Sequence, residues 1–231
     1  MHELIENLKD RQLIWQGQLP QKQHQTISTG FPLLDQKLDG GFPVHGVIEI
    51  ESQNSIGELR LMLPHIKYSQ ANRMVVFINP PGIISSEFFS SQNIPLHNIL
   101  VINTQSEIEA LWTAEQCLKS GACNAVFLWG SELEIHQTKR LQVASETGKC
   151  LQFIFKSTNQ NHISLPVSLS MKLSPHQTGL EITIVKRKGA WSYGTFVLGL
   201  ESQWPDLTLN EQNTDASESA TVLNFPLAKQ G

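Results

Sequence analysis

Few side chains in this sequence of 231 residues are spaced for chemistry. The eight histidines are dispersed, with no HxH, no HExxH and no i,i+4 pair. They lack the close spacing by which imidazoles share a metal ion, so no metal site is expected. Cys117, Cys123 and Cys150 are odd in number and have no CxxC spacing, which reads as reduced thiols without a disulfide frame or a zinc site. No serine or cysteine sits in a nucleophile signature, and GxSxG is absent. What remains is glycine. Gly30, Gly40, Gly41 and Gly46 punctuate residues 27–50, which run straight into Ser52-Gln-Asn-Ser-Ile-Gly57-Glu58-Leu59.

Residues 27–50 resemble the lead-in to the core of a RecA-type ATPase. They hold a Ser-Thr-Gly turn, a short segment ending in Leu-Asp, a Gly-Gly-x-Pro turn and a first core strand. In that family the strand feeds a GxxxxGK[ST] loop, whose amides and lysine bind phosphates and whose hydroxyl holds Mg²⁺. Here the first glycine is Ser52, the second survives as Gly57, the lysine is Glu58 and the hydroxyl is Leu59. A carboxylate in the cation's place repels phosphate. The resemblance also puts an acidic water-activating residue after the next strand, where this chain reads Asn79-Pro80-Pro81. A Mg²⁺-organising aspartate belongs at the end of a later strand, where this chain has Trp129. With three elements replaced, the expectation is a degenerate nucleotide site, no cofactor and no enzymatic activity. The family's long DNA-binding loop is also missing, with only residues 156–164 in its place. One echo survives: Val185-Lys186-Arg187-Lys188 resembles the lysine-bearing turn that reaches a neighbouring subunit's nucleotide. Its plainer reading is a solvated hairpin tip.

Strands and helices have to position that loop, and their pattern is regular from Thr26. Apolar runs at 47–50, 74–78, 99–102, 125–129 and 151–155 read as buried strands. Helices are expected at about 57–70, strained by Pro64, near Phe88, from a capping box at Thr104–Glu107 to about Lys119, and after a second capping box at Ser131–Glu134. Such alternation gives a mainly parallel sheet covered on both faces. Segments 167–173, 180–185 and 193–200, parted by turn signals at Pro175-His176 and Lys188-Gly189, predict a C-terminal antiparallel meander. The fold class is therefore α/β and RecA-like, in a core of residues 26–200. Residues 1–25 are expected to hold a short helix (Leu4, Ile5, Leu8, Trp15) and a Gln-rich linker. Residues 201–231 form an acidic tail expected to stay flexible up to an apolar island. Trp112 and Trp129 are expected in the core, and Glu49 is read as structural.

Composition narrows the function classes. Charged residues make up 16 %, against about a quarter in ordinary soluble domains. The apolar stretches are strand-sized and the N-terminus has no apolar h-region, so neither a membrane span nor a signal peptide is expected and the location is read as cytoplasmic. Five acids and one base fall in residues 201–231, leaving residues 1–200 with 16 of each sign. A chain that gripped DNA by itself would carry a basic excess, so little direct DNA binding is expected.

The erased site, the Pro-Pro loop and the run Ser120-Gly-Ala-Cys-Asn-Ala-Val-Phe-Leu-Trp129 resemble the ImuA family and, over a shorter stretch, the SulA cell-division inhibitors. The ImuA resemblance implies an SOS-induced, non-catalytic adaptor in translesion DNA synthesis. Its partners would be an ImuB-type polymerase relative and an error-prone C-family polymerase, with RecA as a further candidate. The SulA alternative implies FtsZ. The island Val222-Leu223-Asn224-Phe225-Pro226-Leu227 resembles the hexapeptide by which repair proteins bind the sliding clamp, though Val222 replaces the usual glutamine. Leu223, Phe225 and Leu227 alternate, so an extended chain projects them to one side. Binding to another partner and folding back onto the domain stay open.

Overall fold

Apolar runs without polar alternation suit strands buried on both faces, and the sheet is built from them. The computed structural model describes residues 25–67, 73–130, 133–157, 164–188 and 194–204. In chain order the elements are β1 (Thr26–Ile27), α1 (Pro32–Lys37), β2 (Phe42–Pro43), β3 (Gly46–Glu51), α2 (Glu58–Lys67), β4 (Met74–Ile78) and α3 (Ser86–Ser91). A 3₁₀ turn (Leu96–Asn98) leads into β5 (Ile99–Ile102), α4 (Glu107–Lys119), β6 (Cys123–Trp129), α5 (Ile135–Gly148) and β7 (Leu151–Lys156). The meander β8 (Leu169–His176), β9 (Gly179–Arg187) and β10 (Gly194–Gly199) follows.

β1 and β2 form a small antiparallel pair, and the other strands make one sheet in the order β10-β9-β8-β3-β7-β6-β4-β5. The run from β8 to β5 is parallel, while β9 and β10 are antiparallel additions. This is the expected α/β architecture. No described helix is long and apolar enough to cross a membrane.

The two faces of the sheet differ. One packs against α1 and α2 through an aromatic core, in which Phe127 stacks on Phe77 at 5.0 Å and on Phe153 at 4.8 Å. The other is covered by α4 and α5 through small residues, Ala110, Ala114 and Ala144, with Leu118 and Leu141. Where the helices end they touch: a Cβ on Gly148 would lie 1.8 Å from the Leu118 carbonyl oxygen, so only glycine fits there.

Several boundaries move. The cap of α4 is Ser106, whose hydroxyl accepts the Glu109 amide at 3.2 Å, and Thr104 is drawn away to Asn79. The capping box of α5 is Glu134 with Gln137, one turn beyond Ser131. Pro175 and His176 lie within β8, and the β8–β9 turn follows them. Trp129 is buried as expected, but Trp112 is 62 % exposed. The expectation that Trp112 is core is corrected: it projects from the outer side of α4, opposite the stripe of Ala110, Ala114 and Leu118. Trp204, just past the proposed core boundary, packs against the aromatic core, its amide donating to the Leu200 carbonyl at 2.9 Å. The expected N-terminal helix, the linker and the island with Leu223, Phe225 and Leu227 lie outside the described residues.

Candidate functional site

In a parallel sheet the loops after the strands gather at the C-terminal edge, where open α/β folds bind ligands. Ser52 to Leu59 follow β3, Asn79 to Pro81 follow β4, and Trp129 closes β6, so the fold brings the sequence-predicted positions to one edge.

The loop after β3 has an anion-cradling shape, and a carboxylate of the chain itself fills it. Ser55 and Gly57 adopt positive φ, 65° and 104°, turning successive amides inward. Those amides converge on the chain's own carboxylate. Ser55 N donates to Glu58 Oε1 at 3.1 Å, while Ile56 N and Gly57 N donate to Glu58 Oε2 at 3.0 and 3.1 Å. Glu58 is the first residue of α2, where the helix dipole also favours negative charge. It is only 5 % exposed. An internal carboxylate thus takes the three amides that a phosphate would need. Around it, Ser52 is buried, its amide donating to the Lys156 carbonyl at 3.0 Å, and Leu59 packs against the aromatic core.

The other two positions are equally closed. Trp129 stacks on Phe155 at 4.6 Å with an 8° interplanar angle, laying an indole where a metal-organising carboxylate would stand. Its Nε1 is buried and without a hydrogen-bond partner among the described residues. Pro81 is exposed and carries nothing inward. Its neighbour Asn79 ties the β4 and β5 loops together: Thr104 N donates to Asn79 Oδ1 at 2.8 Å, and Asn79 Nδ2 donates to Thr104 Oγ1 at 2.9 Å.

The charged side chains near the sheet are paired within it. Lys156 lies 2.7 Å from Glu49 and Lys172 3.0 Å from Glu51, so Glu49 is half of a cross-strand pair. The basic run is not a solvated tip throughout. Lys186 and Arg187 belong to β9; Lys186 Nζ donates to the Leu165 carbonyl at 2.7 Å and Arg187 pairs with Asp39. Lys188 is exposed just beyond the strand. Among the described residues no group of three or more His, Cys, Asp and Glu is placed to hold a metal ion. The three cysteines are free. A hydrogen bond with Cys117 holds the Cys123 thiol down at about 6, helped by Ser120 and Arg73, against its burial.

One feature escaped the sequence reading. Between α4 and α5 runs an open trough of about 190 Å³, lined by Ile108, Leu111 and Trp112 on one wall and by His136, Gln137 and Leu141 on the other. Glu115, paired with both Lys119 and Arg140, closes one end, and those cations hold its carboxyl below the usual range. The exposed Ile108 and Trp112 sit at i,i+4 opposite the buried stripe of α4, a double-sided pattern that marks a second apolar face.

Residues 41–152 match the model of a family described as "Cell division inhibitor SulA". The cell division inhibitor SulA of Photorhabdus laumondii is 30 % identical over 98 residues, 42 % of this chain and 55 % of that protein. The protein RecA of Crocosphaera subtropica is 29 % identical over 105 residues, 45 % of this chain and 30 % of that protein. The matches therefore span about half of the SulA relative and less than a third of the RecA relative. Among solved structures, SulA from Pseudomonas aeruginosa aligns with a TM-score of 0.40 and 21 % identity, covering 48 % of this chain and 97 % of that one. The chain contains a SulA-like region and has distant similarity to both SulA and RecA.

Proposed function

We propose that this chain is a non-catalytic relative of SulA and RecA that works by binding other proteins. The observation that carries this reading is Glu58 in its own amide cradle. Three amides of the cradle are committed to a buried carboxylate, so a nucleotide phosphate would meet negative charge where those donors point. Binding of Mg·ATP would require Glu58 to swing out of a site that holds it with three bonds. Calorimetry with Mg·ATP should give no heat of binding; micromolar binding that is lost on changing residues 52–59 would overturn the reading.

For the partner, the first reading is a cell-division inhibitor of SulA type acting on FtsZ. It is supported by the SulA family match over residues 41–152 and by relatives named as cell division inhibitors. The second reading is an ImuA-type adaptor in damage-tolerant DNA synthesis, contacting an ImuB-type protein and an error-prone polymerase, with RecA and the sliding clamp as further partners. One observation favours it. The meander lies beyond the SulA-matched residues, yet β8 pairs directly with β3, so the fold carries an extra block of sheet as an integral part. The discriminating experiment is affinity capture with the full chain from cells treated with a DNA-damaging agent. FtsZ in the captured material, with loss of FtsZ sedimentation when purified chain is added, supports the first reading. An ImuB-type protein and a polymerase support the second.

A further inference from the structure

We propose that Cys117 and Cys123 form an oxidisable pair, a modification site at which hydrogen peroxide converts two thiols into a reversible disulfide. The chain's three cysteines come from three different elements and meet in one place. Cys117 lies in the last turn of α4, Cys123 opens β6, and Cys150 stands just before β7. All three belong to the apolar cluster beneath α4 and α5, with Cys117 at its half-buried margin. Ser120 joins the first two. Its hydroxyl donates to the Cys117 carbonyl at 2.8 Å and lies 3.8 Å from Cys123 Sγ. The Cys117 and Cys123 thiols are also hydrogen-bonded to each other.

The surroundings give the sulfurs different roles. The Arg73 guanidinium reaches the same place, donating to the Cys123 carbonyl, to the Gly148 carbonyl at 2.7 Å and to the Lys149 carbonyl at 3.0 Å. Its Nε is buried and has no hydrogen-bond partner among the described residues. A cation so placed favours a thiolate on Cys123, in the same direction as the bonds from Cys117 and Ser120. Cys117 stays a thiol, because it donates to that sulfur, is partly buried and lies at a helix C-terminus, where negative charge is disfavoured. Cys150 is a bystander. It is fully buried, which pushes its pKa up, and its thiol faces the Leu151 carbonyl at 3.8 Å.

The reaction runs in two steps. The Cys123 thiolate attacks one oxygen of hydrogen peroxide, the O–O bond breaks, and the far oxygen takes a proton and leaves as water. Cys123 is then a sulfenic acid. The Cys117 sulfur attacks it, the S–S bond forms, and the sulfenic hydroxyl leaves as a second water with the Cys117 proton. Two electrons pass from the thiols to the peroxide. The turn between the two residues permits the closer approach that the bond requires. Ser120, Gly121 and Ala122 are exposed, and nothing lies within 4 Å of the place of a Cβ on Gly121. The same open turn is the way in for so small an oxidant.

The test treats the full chain at neutral pH with hydrogen peroxide, at a dose that leaves free cysteine largely reduced. The remaining thiols are alkylated in urea and the chain is digested with trypsin without reduction. Cleavage at Arg73, Lys119, Lys139, Lys149 and Lys156 puts each cysteine in its own peptide, 74–119, 120–139 and 150–156. The expected product is 74–119 joined to 120–139, with alkylatable thiols falling from three to one and restored by dithiothreitol. Cys117→Ser should form no disulfide and leave a sulfenic acid on Cys123 that dimedone captures. Cys123→Ser should show neither product, and Cys150→Ala should form the bond as the wild type does. The wild-type peptide map decides by itself where a substitution impairs folding. The proposal is overturned if the wild type keeps three alkylatable thiols at that dose, if the bond takes in Cys150, or if it joins two chains.

Discussion

The loop after β3 and the trough between α4 and α5 treat their unsatisfied groups in opposite ways. In the loop, three amides that a RecA-like fold would present to a ligand are consumed by Glu58, and the neighbouring position is sealed by the Trp129–Phe155 stack. In the trough, apolar side chains stay open to solvent although the helices beneath them are fully packed. A small-molecule site is closed by satisfying its polar groups from within, whereas a protein-binding site leaves apolar area uncovered. The contrast directs attention to the helical surface and away from the strand ends.

The largest effect should come from the sealed side. Phe127→Ala opens a hole in the stack between Phe77 and Phe153 and should cost about 3–5 kcal/mol in urea unfolding. Trp112→Ala in the trough should change stability by no more than about 0.5 kcal/mol. Equal costs would erase the distinction.

Next comes the pH response of the aromatic core. His65 is buried between Phe42 and Phe153, and burial lowers its pKa from 6.5 to about 4. The folded imidazole is neutral, while the unfolded one takes up a proton near 6.5. Its contribution is therefore complete above pH 6.5, is lost as pH falls towards 4, and levels off below. The span corresponds to about 3 kcal/mol. Unfolding free energies at pH 7 and pH 4.5 should show this slope, and His65→Phe should remove it.

Glu58→Ala separates the loop from the rest. Leaving three amides without their acceptor should cost about 1–3 kcal/mol. Inorganic phosphate should then raise the melting temperature of the variant and leave that of the wild type unchanged. A variant indifferent to phosphate would mean that the cradle is not an anion site at all.

The smallest effect tests the basic run. Lys186→Met removes the bond to the Leu165 carbonyl and should cost about 1 kcal/mol. Wild-type stability in that variant would return Lys186 to the solvated surface.

Much of the fold was legible because its signals are local. Residues 74–78 and 125–129 are too apolar for any place but a sheet buried on both sides, and they occupy adjacent strands. The helix starts were less legible. Thr104 and Ser131 offer the right side chains, but Thr104 is claimed by Asn79, and the caps fall at Ser106 and Glu134. Trp112 misled because an aromatic residue in an amphipathic helix is usually core, and its register relative to Ala110 and Ala114 is what turns it outward.

The sequence by itself determined which residue types stand where a RecA-like fold has its phosphate loop. Replacing a lysine by Glu58 and placing Trp129 at a strand end are changes of residue type, and charge and size act at a position whatever surrounds it. It also determined the parallel sheet, because continuous apolar strands must be covered on both faces. Tertiary structure decided what became of those replacements. That the Glu58 carboxylate turns back onto three amides depends on the positive φ of Ser55 and Gly57, a property of the folded loop. That Lys186 is tied down depends on a carbonyl 21 residues away. The trough exists because Gly148 brings two helices together at one end while Ile108 and Trp112 of α4 face His136 and Gln137 of α5 at the other. Such a surface is a relation between two elements, and no single stretch of sequence contains it.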